Sequence, residues 1–213
     1  MGGIVIDTHL NWNSHIEKIS SKISRSLGIL NKLKRILPTD PKLKIYNSII
    51  LSHINYGILT WGFKCSKLKI IQKKAIRIIA CSKFNAHTDP LFKNMRLLKV
   101  EDIFMIAKIK FYFKYINQAL PVKLQNLPLL SNMDIHPHNT RQSGNLFMHR
   151  YVHSFAKNCL RFDLPKTINE MPSNIHDKFH THSLQGIVRY TKNIYINNYQ
   201  ESCAISNCYI CAM

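Results

Sequence analysis

The 213 residues predict a mainly α-helical protein. Apolar residues recur at spacings of three and four over long stretches, the periodicity of a helix with one buried face. Asp-Pro pairs at 40–41 and 89–90 supply the cap and first helical position of two such stretches. Strand-like runs are few: Gly3-Ile4-Val5-Ile6 near the start and a pair of short runs beyond residue 145. With 46% hydrophobic residues there is enough apolar surface to build a core. The expected architecture is a helical bundle preceded by one orphan strand and followed by a small α+β C-terminal extension.

The elements follow in order. Gly3–Ile6 is strand-like, yet one strand cannot satisfy its own backbone groups and needs neighbours. It passes through Asp7-Thr8 into a helix whose start carries a capping-box pattern, Ser14 with Glu17 three residues on. Ile16, Ile19, Ile23, Leu27, Leu30, Leu33 and Leu37 then form an apolar seam, while Lys18, Lys22, Arg25 and Lys32 lie along a cationic stripe on the other side. Asp40-Pro41 starts a second helix through about Ser52, and a short third segment ends near Trp61-Gly62. Residues 45–63, IYNSIILSHINYGILTWGF, carry no Asp, Glu, Lys or Arg and reach spanning length, but Asn47, Ser48, Ser52, His53 and Asn55 favour a buried helix pair over a membrane span.

Ser66 opens the next helix, SKLKIIQKKAIRIIAC. Leu68, Ile71, Ala75 and Ile78 are expected inward, with Lys69, Lys73 and Arg77 as a second basic stripe and Lys74 beside it. Asp89-Pro90 signals a short helix, and VEDIFMIAKIKFYFKYINQALP a long aromatic-rich one stopping before Pro121. Composition shifts to Pro, Asn, Ser and His between Leu127 and Asn145, the mark of a loop. The expected organisation is therefore a strand remnant over 1–13, a basic helical domain over 14–123, a linker over 124–145 and an extension over 146–213. In the extension Leu146–His149 and Val152–Phe155 are read as a small hairpin, with helices over Lys157–Ile168 and Leu184–Tyr199.

Charge narrows the partners. Thirty Lys and Arg against eleven Asp and Glu give a net charge of +19, which favours polyanions and says nothing about fold. Residues 1–123 hold 22 basic and 6 acidic side chains, and residues 124–213 hold 8 and 5, so the electrostatic weight sits in the helical domain. Nucleic acid is the leading partner, ahead of an anionic membrane surface. Lysines and arginines on one face gain affinity by releasing counterions from phosphates, without reading base sequence. A stripe of like charge repels itself, a cost that phosphates relieve; the plain alternative is a solvated basic face.

Several chemistries lack their residues. The acidic side chains are scattered, and the one adjacent pair, Glu101-Asp102, opens a helix where negative charge is favoured by the dipole. No glycine-rich phosphate loop occurs. The six cysteines, with no secretory signal ahead of them, are read as reduced intracellular thiols, placing the chain in nucleus or cytoplasm. His176, His180 and His182 precede Cys203, Cys208 and Cys211, but the histidine spacing matches no standard zinc pattern, so a zinc module in the tail is kept as an alternative to reduced thiols and surface imidazoles. Cys159 and a histidine as a nucleophile pair would need a proximity that sequence does not supply.

The run GIVIDTHLNWNSHIEKISSKISRSLGIL resembles the segment following the catalytic palm in non-LTR, jockey-like retrotransposon reverse transcriptases, where a last strand "LG-x-x-x-D" leads into "L-x-W-x-x-H-I" and a lysine-bearing helix. Gly3, Asp7, Leu10, Trp12, His15 and Ile16 match. YNSIILSHINYGILTWG, LKIIQKKAIRIIA, HTDPLFKNMRLLKVEDI and HNTRQSGN resemble the same elements in the same order, with weaker similarity through SFAKNCLRFDLPKTINEMPSNI. The resemblance implies that Gly3–Ile6 is the edge of a palm sheet whose other strands are encoded upstream, and that residues 14 to about 120 form a thumb that grips an RNA–DNA template–primer duplex by its backbone. The minor groove of such a hybrid is wide and shallow, open to helices. It implies partners in the upstream palm and fingers of an RNA-directed DNA polymerase, whose paired aspartates bind the Mg ions; no Asp-Asp occurs in this sequence, so no catalytic residue and no cofactor is carried over. Where the family commonly has "W-N-x-L-P", this chain has Phe162-Asp163-Leu164-Pro165. Nucleic-acid contacts are expected at Lys18, Lys22, Arg25, Lys32, Lys69, Lys73, Lys74 and Arg77. The alternatives are a stand-alone, domesticated nucleic-acid-binding protein and a non-functional relic of a mobile element.

Overall fold

A computed structural model describes residues 3–125, 127–136, 138, 140–151 and 156–201. The chain is mainly helical, 65% helix, with no sheet among the described residues. It divides into two compact units, one of residues 3–104 with 193–201 and the other of residues 105–192. The division falls inside the long aromatic helix, and residues 193–201 belong to the first unit.

In the first unit, α1 spans Asn13–Lys32. The expected capping box does not form: Trp12 holds the N-cap position in a left-handed conformation (φ 63°) with no side-chain cap, and Ser14 is already helical. The reason lies in the turn before it. The Asp7 Oδ1 accepts the Asn11 N–H at 2.8 Å and the Asn11 Oδ1 accepts the Asn13 N–H at 3.0 Å, so side chains upstream of the helix supply acceptors at its entry. Ile16, Ile19, Ile23, Leu27 and Leu30 are buried along one side, as their spacing demands. Residues 3–6 form no strand. No ladder partner lies among the described residues, and the Val5 N–H instead donates to His15 Nδ1 at 3.1 Å.

The chain continues as α2 (Thr39–Ile45), a π-helical turn (Tyr46–Leu51) and α3 (Ser52–Asn55). Pro38 holds the N-cap position, so the helix begins ahead of the Asp40-Pro41 signal. Tyr46, Ile50 and Ile54 are all fully buried at intervals of four, which the wider π turn keeps on one line. Gly57, with φ +65°, turns the chain into α4 (Ile58–Trp61) and lets Trp61 Nε1 donate to the Tyr56 carbonyl at 3.0 Å. Gly62 follows against the Phe104 ring, where a Cβ would sit 2.4 Å from Phe104 Cδ2; only glycine fits.

Helix α5 (Ser66–Ile79) packs against α1 and buries Leu68, Ile71, Gln72, Ala75, Ile76 and Ile79. Gln72 is the polar centre of this core. Its Nε2 donates to Tyr46 Oη at 2.8 Å and to the Leu98 carbonyl at 2.9 Å, and its Oε1 accepts the Val100 N–H at 3.0 Å. Burial pushes the Tyr46 phenol up to about 12. Helix α6 (Asp89–Asn94) carries Pro90 in its first turn, as the Asp-Pro pair predicts. Helix α7 (Val100–Ile116) starts in this unit and crosses into the next. Residues 193–201 are held by polar contacts. Tyr199 Oη donates to Asp102 and accepts the Lys99 N–H, and Lys93 Nζ pairs with Glu201 at 2.9 Å.

The second unit contains the remainder of α7 and five further helices, α8 (Val122–Gln125), α9 (Asn132–Ile135), α10 (Leu160–Asn169), α11 (Ser173–His176) and α12 (Lys178–Thr181), with α13 (Leu184–Asn197) running out of it. Ile106, Ile109, Leu164, Ile168, Ile175, Phe179 and Ile187 are buried here, and Tyr112 meets Phe179 edge-to-face at 5.1 Å. Lys108, 3% exposed, pairs with Asp163 at 2.5 Å and donates to Thr167 Oγ1 at 3.0 Å. The expected linker holds a real capping box, Ser131 with Asp134, that starts α9. The expected hairpin is not seen as such. Leu146 makes a single antiparallel bridge to Ser131, and the Asn169 side chain clamps both its backbone groups at 2.9 and 2.8 Å, while Val152–Phe155 lie outside the described residues. Among its described residues the extension shows helices and one bridge.

Candidate nucleic-acid interface

The side of α1 turned away from the seam carries the cations expected there. Lys18, Arg25 and Lys32 are exposed and Lys22 is half-buried. Among the described residues none of the four side chains makes an ion pair or a hydrogen bond. From Lys18 to Lys32, 14 residues on, the helix sets four positive charges along about 21 Å at 1.5 Å per residue. No acidic side chain among the described residues pairs with them.

The stripe on α5 is arranged differently. Lys69 Nζ pairs with Glu101 Oε1 at 2.6 Å, and that hydrogen bond raises the ammonium pKa above its ordinary value. Arg77 Nε donates to the Ala86 carbonyl at 2.8 Å, and burial lowers its pKa. Lys73 is half-buried and Lys74 exposed. The outward centre of α5 is Lys67, Ile70 and Lys74, because burial of Gln72 and Ile76 rotates the inward face past the stripe that spacing suggests. Lys67 was missed for that reason. A polar residue in the buried row, Gln72, is the signal that would have found it.

Beside the α1 stripe lies a cleft with about 280 Å³ of empty space, part of it open to solvent, lined by His15, Lys18, Ile19, Lys22, His53, Tyr56 and Gly3. His15 is 2% exposed and stands between the chain's two tryptophans, 6.4 Å from Trp12 and 5.9 Å from Trp61, ring centroid to ring centroid. Burial, then the charge of Lys18, lowers its pKa; burial, then Lys22, lowers that of His53. These histidines carry no spacing signature, since the chain contacts that gather them run between α1 and α3.

Among the described residues no group of His, Cys, Asp and Glu is gathered to hold a metal, and Cys203, Cys208 and Cys211 lie outside them. No described helix is long and apolar enough to cross a membrane. Comparison with protein-family models, with curated proteins and with solved structures finds no match.

Proposed function

We propose that the chain grips duplex nucleic acid through the free cationic face of α1, as the thumb part of a non-LTR retrotransposon reverse transcriptase. The observation that carries this is the state of the four α1 cations. Lys18, Lys22, Arg25 and Lys32 have no acidic partner among the described residues, whereas Lys69 has one. Unneutralised cations at helical spacing release counterions when phosphates replace them, so affinity falls steeply with salt and ignores base sequence. Lys67 and Lys74 of α5 extend the basic surface. The ordered motifs that resemble the reverse transcriptases support the family reading, and an RNA–DNA hybrid is the partner they imply. The family's polymerisation needs a pair of adjacent aspartates that this sequence lacks, so its contribution is positioning of template and primer, with palm and fingers as partners and the compartment that of a nucleic-acid-processing enzyme.

The test is binding of the chain to unrelated duplexes and to an RNA–DNA hybrid across a salt series. Wild type is expected to bind all of them with a steep salt dependence. The triple variant Lys18→Glu, Arg25→Glu, Lys32→Glu should lose on the order of 100-fold in affinity and flatten the slope of log K against log salt by about 3. Equal affinity of variant and wild type at low salt would defeat the proposal.

A further inference from the structure

We infer that the cleft between α1 and α3, lined by Lys18, Lys22, His15, His53 and Tyr56, is a binding site for one phosphate group. The inference deepens the duplex-binding proposal and rests on it for the source of that phosphate, but the site is chemically complete without it.

The orphan atom is the starting observation. His15 Nδ1 accepts the Val5 N–H, which places the ring proton on Nε2. That Nε2 is buried and, among the described residues, has no hydrogen-bond partner. Buried donors are nearly always satisfied, so one without a partner on a residue that lines the cleft calls for an acceptor. The remaining lining matches an oxyanion. Lys18 and Lys22 are one helical turn apart on α1, His53 comes from α3, and Tyr56 adds a hydroxyl. All of these are donors or can become donors by protonation. No carboxylate lines the cleft; Asp7 and Glu17, the acidic residues nearest to α1's first turns in sequence, are absent from its wall. Two ammonium groups with no anion beside them among the described residues, two imidazoles and a phenol make a concave, positively charged surface suited to an oxyanion.

The histidines add a readable consequence. Both have depressed pKa values, from burial first and from the neighbouring lysine second, so both are neutral at pH 7. An anion in the cleft favours their charged forms and draws protons onto them. His15 lies against both tryptophans, so its change of charge is visible in their fluorescence.

The probe is inorganic phosphate, titrated against wild-type chain at constant ionic strength set with potassium chloride, read by ³¹P line width and by tryptophan fluorescence. Wild type should show saturable line broadening with a parallel fluorescence change, both stronger at pH 6 than at pH 8. His53→Gln, which leaves the α1 stripe intact, should weaken phosphate binding at least 5-fold, while Lys44→Gln, an exposed lysine on α2 outside the cleft, should change nothing. Should His53→Gln disturb folding by circular dichroism, Tyr56→Phe takes its place, with a smaller loss. A duplex titration in parallel separates the two proposals. Duplex binding without any phosphate response overturns the cleft and leaves the α1 grip standing. Phosphate binding without duplex binding supports the cleft, with a free phosphomonoester as its source, and removes the nucleic-acid proposal. Broadening that is equal in wild type and His53→Gln, or that chloride reproduces, overturns the site.

Discussion

Helices α1 and α5 look like twins in sequence: each has an apolar seam and a row of lysines and arginines at i, i+4 and nearby positions. In the folded chain they part company. The α1 row makes no ion pair among the described residues, while in the α5 row Lys69 is tied to Glu101 and Arg77 to the Ala86 carbonyl. The lesson is that a helical stripe of charge is only a candidate surface. What decides its role is whether another segment of chain has arrived to neutralise it.

The largest expected effect breaks α5 as a structural helix. Gln72→Ala strands the Tyr46 hydroxyl, the Leu98 carbonyl and the Val100 N–H in the core, and should lower unfolding free energy by about 3 kcal/mol in a urea titration. A loss under half of that would mean water enters and replaces the amide. Next, the charge-reversal triple on α5, Lys69→Glu, Lys73→Glu, Arg77→Glu, sets two carboxylates together at 69 and 101 and should cut stability while reducing duplex affinity less than the α1 triple does. If instead it matched the α1 triple in affinity loss at unchanged stability, the two helices would be functional equals.

A smaller effect sharpens the α1 side. His15 has its folded pKa depressed below 6.5 by burial and by Lys18. A base with a depressed folded pKa contributes stability that is present above its unfolded value and is lost as pH falls through the folded one. His53 has the same sign. Stability should therefore decline as pH drops from about 7 toward 5, and His15→Gln should flatten that decline even where it lowers the plateau; an unchanged slope in the variant would show that other groups carry it. The smallest effect tests the salt bridge that distinguishes α5. Lys69→Gln removes a pair whose members are more than a third exposed, so thermal unfolding should change by less than about 1 kcal/mol, with no change in the salt slope of duplex binding.

Much of the fold was legible because it follows from local periodicity. Ile16 through Leu30 at spacings of three and four could only be one buried helical face, and the Asp89-Pro90 signal started α6 where expected. Boundaries were less legible. Ser14 and Glu17 spell a capping box, but the Asp7–Asn11 turn supplied other acceptors and the helix began upstream of them. In the extension a side chain 23 residues away, Asn169, holds both backbone groups of Leu146, while Val152–Phe155, the other half of the expected hairpin, lie outside the described residues. Of the candidate site, the α1 cations were visible as a stripe; His15, His53 and Tyr56 were not, since none stands at a telling distance from another along the chain.

By itself, then, the sequence determined the helical class, the apolar face of each long helix and the concentration of positive charge before residue 123, because all three depend on residue type and near-neighbour spacing. The tertiary structure decided which cations stay free, which polar residue sits in the core and which side chains meet across the cleft. Those outcomes depend on contacts between residues such as Lys69 and Glu101, or His15 and Trp61, that lie 32 and 46 positions apart, and no local periodicity encodes a distance of that kind.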